Sequence, residues 1–268
     1  MSIIEIIPKK EEISKSLELS AKYNAAFEYN DFFIPAVLDS PSQIDSLISF
    51  YSDLPRDRSN DTLHGAFLDI AIHSSDARIR QISDQRMCQS MNIAKDLGIR
   101  GVIFHTNLIA NFYDKIYRQN WLEKNLEYFS ALAAEYPDIE IFIENMFDLE
   151  PDMFAAFGEA AKNCPTLHLC LDVAHANLSH SSLKEWMELA HPYIRHIHIN
   201  DNDGHFDLHQ AVGQGNINWQ EFDQLMRQYQ IRSSLLIENN SVTQQQESLS
   251  YLEMNHFYPF CLEAEIGR

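Results

Sequence analysis

Two glutamates, an aspartate and a histidine stand at or near the ends of short apolar runs. Glu144 closes Ile-Phe-Ile-Glu-Asn (141–145), Asp172 closes Leu-Cys-Leu-Asp (169–172), His198 lies in His-Ile-His-Ile-Asn-Asp (196–201), and Glu238 falls in Leu-Leu-Ile-Glu-Asn (235–239). Burying a carboxylate or an imidazole is costly unless it is paired or bound to metal. Four such residues on four buried-looking strands therefore point to one convergent metal site rather than to packing. Three hard oxygen ligands and one imidazole suit Mn, Co, Mg or Zn, with positions left for substrate oxygens. The two matching Ile-Glu-Asn endings suggest a pair of glutamates facing each other across a mouth. Further candidates for metal or substrate lie nearby in the pattern. His64 and His105 end apolar runs, His175 follows Asp172 by three residues, and Asp207 and His209 form an Asp-x-His pair just before Gly213-Gln214-Gly215-Asn216-Ile217.

These residues need elements that bring strand ends together. Strand-like runs fall at residues 3–7, 25–29, 63–67, 102–105, 139–144, 167–172, 194–199 and 234–238. Amphipathic, helix-like stretches lie between them at 11–22, 43–51, 78–97, 121–136, 151–163, 183–190, 219–229 and 244–253. Repeated strand-then-helix alternation predicts a parallel sheet, and eight units predict closure into a single α/β domain, a (β/α)8 barrel over residues 1–268. Such barrels carry their chemistry at the C-terminal ends of the strands, where the candidates fall. Alternation along a strand also places Phe142 below Glu144, His196 below His198, and Cys170 and His168 below Asp172.

Composition narrows the partners. The net charge of −19 with a pI near 4.9 repels polyanions, and the longest basic run, Lys9-Lys10, is followed at once by Glu11-Glu12, so nucleic acid is not the expected partner. Cys88, Cys164, Cys170 and Cys261 are scattered and read as reduced thiols. The N-terminal run is too short for a secretory h-region and no stretch has the length of a membrane span, so the expected location is the cytoplasm. The oligomeric state is left open, a homo-oligomer included.

The order of motifs resembles the xylose-isomerase-like barrel superfamily, which joins sugar isomerases and epimerases to endonuclease IV. The segment from His196 to Trp219, with its histidine, Asp-x-His and Gly-x-Gly-x-Ile turn, is similar to that family's, and the likeness runs from about Leu63 to Asn239. The resemblance implies that Glu144, Asp172, His198 and Glu238 hold a central divalent metal. It also implies that Glu144 and Glu238 act as acid and base in a sugar or polyol isomerase or epimerase working through an enediolate. For the endonuclease branch it implies that His64, His105, His175, Asp207 and His209 complete a three-zinc phosphodiesterase cluster. The acidic or neutral early segments depart from that branch.

Plainer readings compete at several positions. Asp172 could simply cap the helix after it. Asp207 and His209 could be a solvated pair, and Lys115 and Arg118 an exposed helix face. Trp219 and Phe67 are expected in the core. His73, His180, His191, His205 and His256 are expected at the surface.

Overall fold

The computed structural model describes residues 2–260, so Cys261 lies outside the described residues. Eight parallel strands pair in chain order and close: β1 (Ile4–Ile6), β2 (Ala26–Tyr29), β3 (Thr62–His64), β4 (Gly101–His105), β5 (Glu140–Glu144), β6 (Leu167–Asp172), β7 (Ile194–Ile199) and β8 (Ser234–Ile237). Around them run α1 (Ile13–Tyr23), α2 (Pro35–Leu38), α3 (Pro41–Ser52), α4 (Ala77–Leu97), α5 (Lys115–Glu135), α6 (Asp152–Ala161), α7 (Val173–Asn177), α8 (Leu183–Ala190), α9 (Trp219–Gln228) and α10 (Val242–Met254). This is the (β/α)8 barrel the alternation predicts.

The period of two sorts each strand into two faces. Outward residues such as Ile4, Ile6, Phe27, Leu63, Val102, Phe104, Ile141, Ile143, Leu169, Leu171, Ile197, Leu235 and Ile237 join the large core between sheet and helices. The intervening residues point inward. Their apolar part includes a small separate cluster of Ile103, Phe142 and Cys170, and Leu236 of β8. Much of the rest of the lumen is polar: Glu5, Glu28, Thr62, His196 and His198 are all fully buried. The barrel's stability therefore comes from the outer layer, and its interior is given to polar chemistry.

Helix ends follow local signals. Asp76 caps α4 by accepting from the Arg78 N–H at 2.7 Å, and Gly98 ends that helix with φ +65°. Ser182 and Glu185 form a capping box at α8.

Some expectations are corrected. β3 stops at His64 rather than residue 67, and β8 stops at Ile237, so Glu238 is the first residue of the loop. α5 begins at Lys115 rather than Trp121, because Asp114 accepts from the Tyr117 N–H at 2.8 Å and starts the helix early. His73 is buried, not exposed. The loop before α4 folds against α5, placing His73 Nε2 3.3 Å from the Tyr117 hydroxyl. Phe67 is half-buried and sets its ring edgewise against His64, 5.2 Å between centroids, with His105 at 5.0 Å. Trp219 is in the core as expected, and Arg118 pairs with Asp152 on the outer surface. His180, His205 and His256 are exposed and His191 is half-buried. No helix of the described residues is long and apolar enough to cross a membrane.

Candidate metal centre

The C-terminal ends of β3 to β8 bring all nine candidates together. His64, His105, Glu144 and Asp172 are the last residues of their strands, His198 is the penultimate residue of β7 and faces inward, and Glu238 follows β8. Glu144 is the hub. Its Oε2 lies 3.3 Å from His198 Nδ1, 3.2 Å from His105 Nε2 and 4.0 Å from His64 Nε2. Its Oε1 lies 3.4 Å from His175 Nδ1. Glu238 Oε2 approaches the same His198 Nδ1 at 3.7 Å and His209 Nδ1 at 3.9 Å. Asp207 Oδ2 then links His209 Nε2 at 3.2 Å to His175 Nε2 at 3.5 Å, closing a ring of contacts back to Glu144. Asp172 joins it through Oδ2, 3.8 Å from His175 Nδ1.

Asp172 has two uses at once. Its Oδ1 accepts from the His175 N–H at 2.5 Å and caps α7, while its Oδ2 faces the site without a hydrogen-bond partner. The helix-cap reading and the site placement therefore coexist. The twin asparagines after the glutamates fasten neighbouring segments. Asn145 exchanges two bonds with the Asp172 backbone, at 2.8 and 3.0 Å, and Asn239 donates to the His209 and Gln210 carbonyls at 3.1 and 2.7 Å.

The loop that carries Asp207 and His209 is built around Asp201. This fully buried carboxylate accepts from Asn202 N–H (3.0 Å) and Ile217 N–H (3.2 Å) on one oxygen, and from Gly213 N–H (2.9 Å) and Trp219 Nε1–H (2.8 Å) on the other. Gly215 is required where the loop returns, since a Cβ there would lie 2.2 Å from the Asn202 carbonyl oxygen. His209 itself adopts φ +48°, a left-handed conformation unfavourable for a side-chain-bearing residue. The surrounding bonds hold it there, aimed between Asp207 and Glu238.

The electrostatics separate the two glutamates. Burial alone would raise Glu144, but His198 and His105 outweigh it and hold its carboxyl well below the usual range. Burial pushes Glu238 up to about 8 despite His198 and His209. For His198, burial is outweighed by Cys170, Glu144 and Glu28, which raise it well above an ordinary histidine. Burial is likewise outweighed at His209, which Asp207 and Glu238 raise to about 10. His64 moves the other way, to about 4, through burial and the neighbouring His105.

These residues fit a divalent metal. Glu144 Oε2, Asp172 Oδ2, Asp207 Oδ1 and both ring nitrogens of His105 and His198 are buried without a hydrogen-bond partner, although opposite-type groups stand within 3 to 4 Å of most of them. Buried polar atoms are nearly always hydrogen-bonded unless an ion or water satisfies them. Two sets of three, Glu144–Asp172–His175 and Asp172–His198–Glu238, each offer ligand atoms within 4.8 Å of one another, and His64–His105–Glu144 does the same. Residues 56–254 match the family model described as xylose isomerase-like TIM barrel. The chain belongs to this family. It is 28% identical over 182 residues to the Methanocaldococcus jannaschii protein MJ1614, covering 68% of this chain and 71% of that one. Among solved structures, the TTHB071 protein from Thermus thermophilus, soaked with ZnCl2, shares the fold with a TM-score of 0.74 at 22% identity, over 95% of this chain and 97% of that chain. A D-tagatose 3-epimerase-like protein does so with a TM-score of 0.73 at 23% identity, over 95% and 96% of the two chains.

Two buried carboxylates escape the sequence reading, and both lie outside the residues 56–254 that the family model covers. Glu5 and Glu28 lie inside the barrel below the site, in runs as apolar as those of the recognised carboxylates. Glu28 Oε2 is 3.3 Å from His198 Nε2, on the opposite side of the ring from Glu144 and Glu238. The signal is present in the chain, since Ile-Glu-Ile and Phe-Glu-Tyr each set a carboxylate mid-strand on the inward face. Above the centre, exposed Ile109, Phe112, Tyr113, Phe147, Phe206 and Leu208 line the loops, giving the mouth an apolar rim. Among the described residues no lysine or arginine forms an ion pair with Glu144, Asp172, Asp207 or Glu238.

Proposed function

We propose that the protein is a metal-dependent isomerase or epimerase acting on a sugar or polyol-derived hydroxycarbonyl substrate. The observation that carries this reading is the placement of Glu144 and Glu238, from strands on different sides of the barrel, at 3.3 and 3.7 Å from one imidazole nitrogen. Two carboxyl groups so placed can address a substrate carbon from two sides. The fold shared with a D-tagatose 3-epimerase-like protein supports the same class.

Glu144, Asp172, His198 and Glu238 would hold the metal (Mn, Co, Mg or Zn), which when bound supplies Lewis-acid polarisation of a carbonyl oxygen. One glutamate, as carboxylate, takes the proton from the carbon beside the substrate carbonyl, and the C–H electron pair moves to give the enediolate. The other glutamate, as carboxylic acid, returns a proton to the opposite face of that carbon or to its neighbour. The first outcome is epimerisation and the second isomerisation. The apolar rim and the buried strand ends keep bulk water from the intermediate.

The test is solvent deuterium exchange followed by NMR, with Mn-loaded protein and a panel of ketoses and inososes. Wild type exchanges the hydrogen beside the carbonyl. Glu144→Gln and Glu238→Gln each slow this by roughly 10²–10⁴-fold with an unchanged circular dichroism spectrum. Exchange that survives in both variants removes the two-glutamate mechanism.

A second reading has its own observation. His64 and His105 on one side of Glu144, and His175, Asp207 and His209 on the other, extend the ligand set beyond one metal. That favours a multinuclear zinc phosphoesterase, for which the net charge of −19 points to a small phosphorylated substrate rather than DNA. Elemental analysis separates the two: about one Mn, Co or Mg per chain supports the isomerase, and two or three Zn support the hydrolase.

A further inference from the structure

We infer that Glu28 is a positioning residue for the metal centre: from inside the barrel its carboxylate faces Nε2 of His198, ready to accept from Nε2–H once Nδ1 ligates the metal. This rests on the metal reading above.

The geometry sets His198 between two groups of carboxylates. His198 is fully buried, and its two nitrogens face carboxylates on opposite sides. Nδ1 meets Glu144 and Glu238, the groups of the open mouth, and Nε2 meets Glu28 Oε2 at 3.3 Å, in the closed interior. A metal-binding nitrogen must offer a lone pair, so the other nitrogen must carry the hydrogen. Glu144 stands as close to Nδ1 as Glu28 does to Nε2, at 3.3 Å; a cation among Glu144, Asp172 and Glu238 removes that competition, and Glu28 then favours the hydrogen on Nε2 and leaves Nδ1 to ligate.

Glu28 is itself held for this task. His196, one inward step below His198 on β7, sets Nε2 3.3 Å from Glu28 Oε2. The other nitrogen of His196 contacts the Ser234 hydroxyl at 2.5 Å. Arg100, where the barrel floor opens, places Nη2 2.9 Å from Glu5 Oε1 and 2.8 Å from Ser234 Oγ. The single hydroxyl hydrogen of Thr62 is best placed for Glu5 Oε2 at 2.5 Å, with Glu28 Oε2 farther at 3.1 Å. The floor cation is thus engaged by Glu5, and the Glu28 carboxylate faces the two imidazoles. Burying a carboxylate so deeply is difficult to explain by packing, since an apolar side chain would fill the lumen at lower cost. The ion-pair contacts of Glu28 are with His196 and His198, so its direct hold on the centre runs through His198.

The experiment titrates metal-free protein with Co²⁺ alone, following visible absorption, in wild type and Glu28→Gln. The expected result is a 10–100-fold loss of Co²⁺ affinity with the native circular dichroism spectrum kept, as for other outer carboxylates behind a ligating histidine. Equal affinity within twofold, with at most a fall in unfolding stability, overturns the proposal and leaves the metal reading standing. Wild type that binds no Co²⁺ overturns the metal reading and this proposal with it. A second measurement needs no substitution. In Zn²⁺-loaded wild type labelled with ¹⁵N-histidine, His198 should show zinc on Nδ1 and an exchange-protected Nε2–H; zinc on Nε2 overturns the proposal.

Discussion

Replacing Asp201 by asparagine should be among the most damaging isosteric changes in the molecule. Both oxygens of this buried carboxylate are doubly used, one by Asn202 and Ile217 N–H and the other by Gly213 N–H and Trp219 Nε1–H, at 2.8 to 3.2 Å. Asparagine keeps one oxygen and replaces the other by an NH2 donor. Whichever way the amide turns, two acceptor bonds are lost and two donors face a donor. Hydrogen bonds to a charged group contribute about 1.5–3 kcal/mol each, so the loss is about 3–6 kcal/mol. Urea unfolding of wild type and Asp201→Asn at constant m-value measures it. Hydrogen exchange at Gly213 and Ile217 should report the same loosening locally. A stability change under about 1 kcal/mol would show that the loop is not organised by this carboxylate, and the placement of Asp207 and His209 would need another cause.

Two other outcomes follow from the site and the barrel floor. Zn²⁺ or Mn²⁺ at about 100 times its dissociation constant should stabilise the protein by about 2.7 kcal/mol, or roughly 5–10 °C in Tm by calorimetry against an EDTA control; an unchanged Tm argues against a metal held by these residues. His168 is pushed down to about 4 by burial and by Arg195 and Arg100, against 6.5 in the unfolded chain. Its folded form resists protonation, so the stability it contributes is complete above pH 6.5 and is lost as pH falls towards 4. Discounted for its partial exposure, this is about 2 kcal/mol. His168→Gln should be correspondingly less acid-sensitive than wild type in urea unfolding at about pH 7 and about pH 4.5, and parallel losses in both proteins would refute it.

Much of the barrel is legible in the chain because period-two alternation is local and its outward half is apolar in nearly every strand, Arg195 at the start of β7 excepted. Glu144, Asp172, His198 and Glu238 stand out for the same reason: a charge at the end of an apolar run is visible without knowing the fold. Glu5 and Glu28 sit mid-strand instead, on strands of three and four residues too short to mark their direction. Their meaning depends on His196 and His198, far along the chain, and only closure of β1 against β8 brings them together. His73 escapes a sequence reading because nothing in its neighbourhood announces that the loop before α4 folds onto α5. The left-handed backbone at His209 is equally hidden, since it is held by the Asn239 bond to its carbonyl and by the Asp201–Gln210 backbone pair beside it rather than announced by residue type.

Glu144 presents its two oxygens in different directions, Oε2 towards His105 and His198 and Oε1 towards His175. A cation on one side withdraws electron density and negative charge from the carboxylate that faces the other. The two sides are thereby thermodynamically linked, and linkage is symmetric: whatever factor occupancy of the first imposes on the second, the second returns to the first. The order in which ions are added will change the path of a titration but not the product of its affinities.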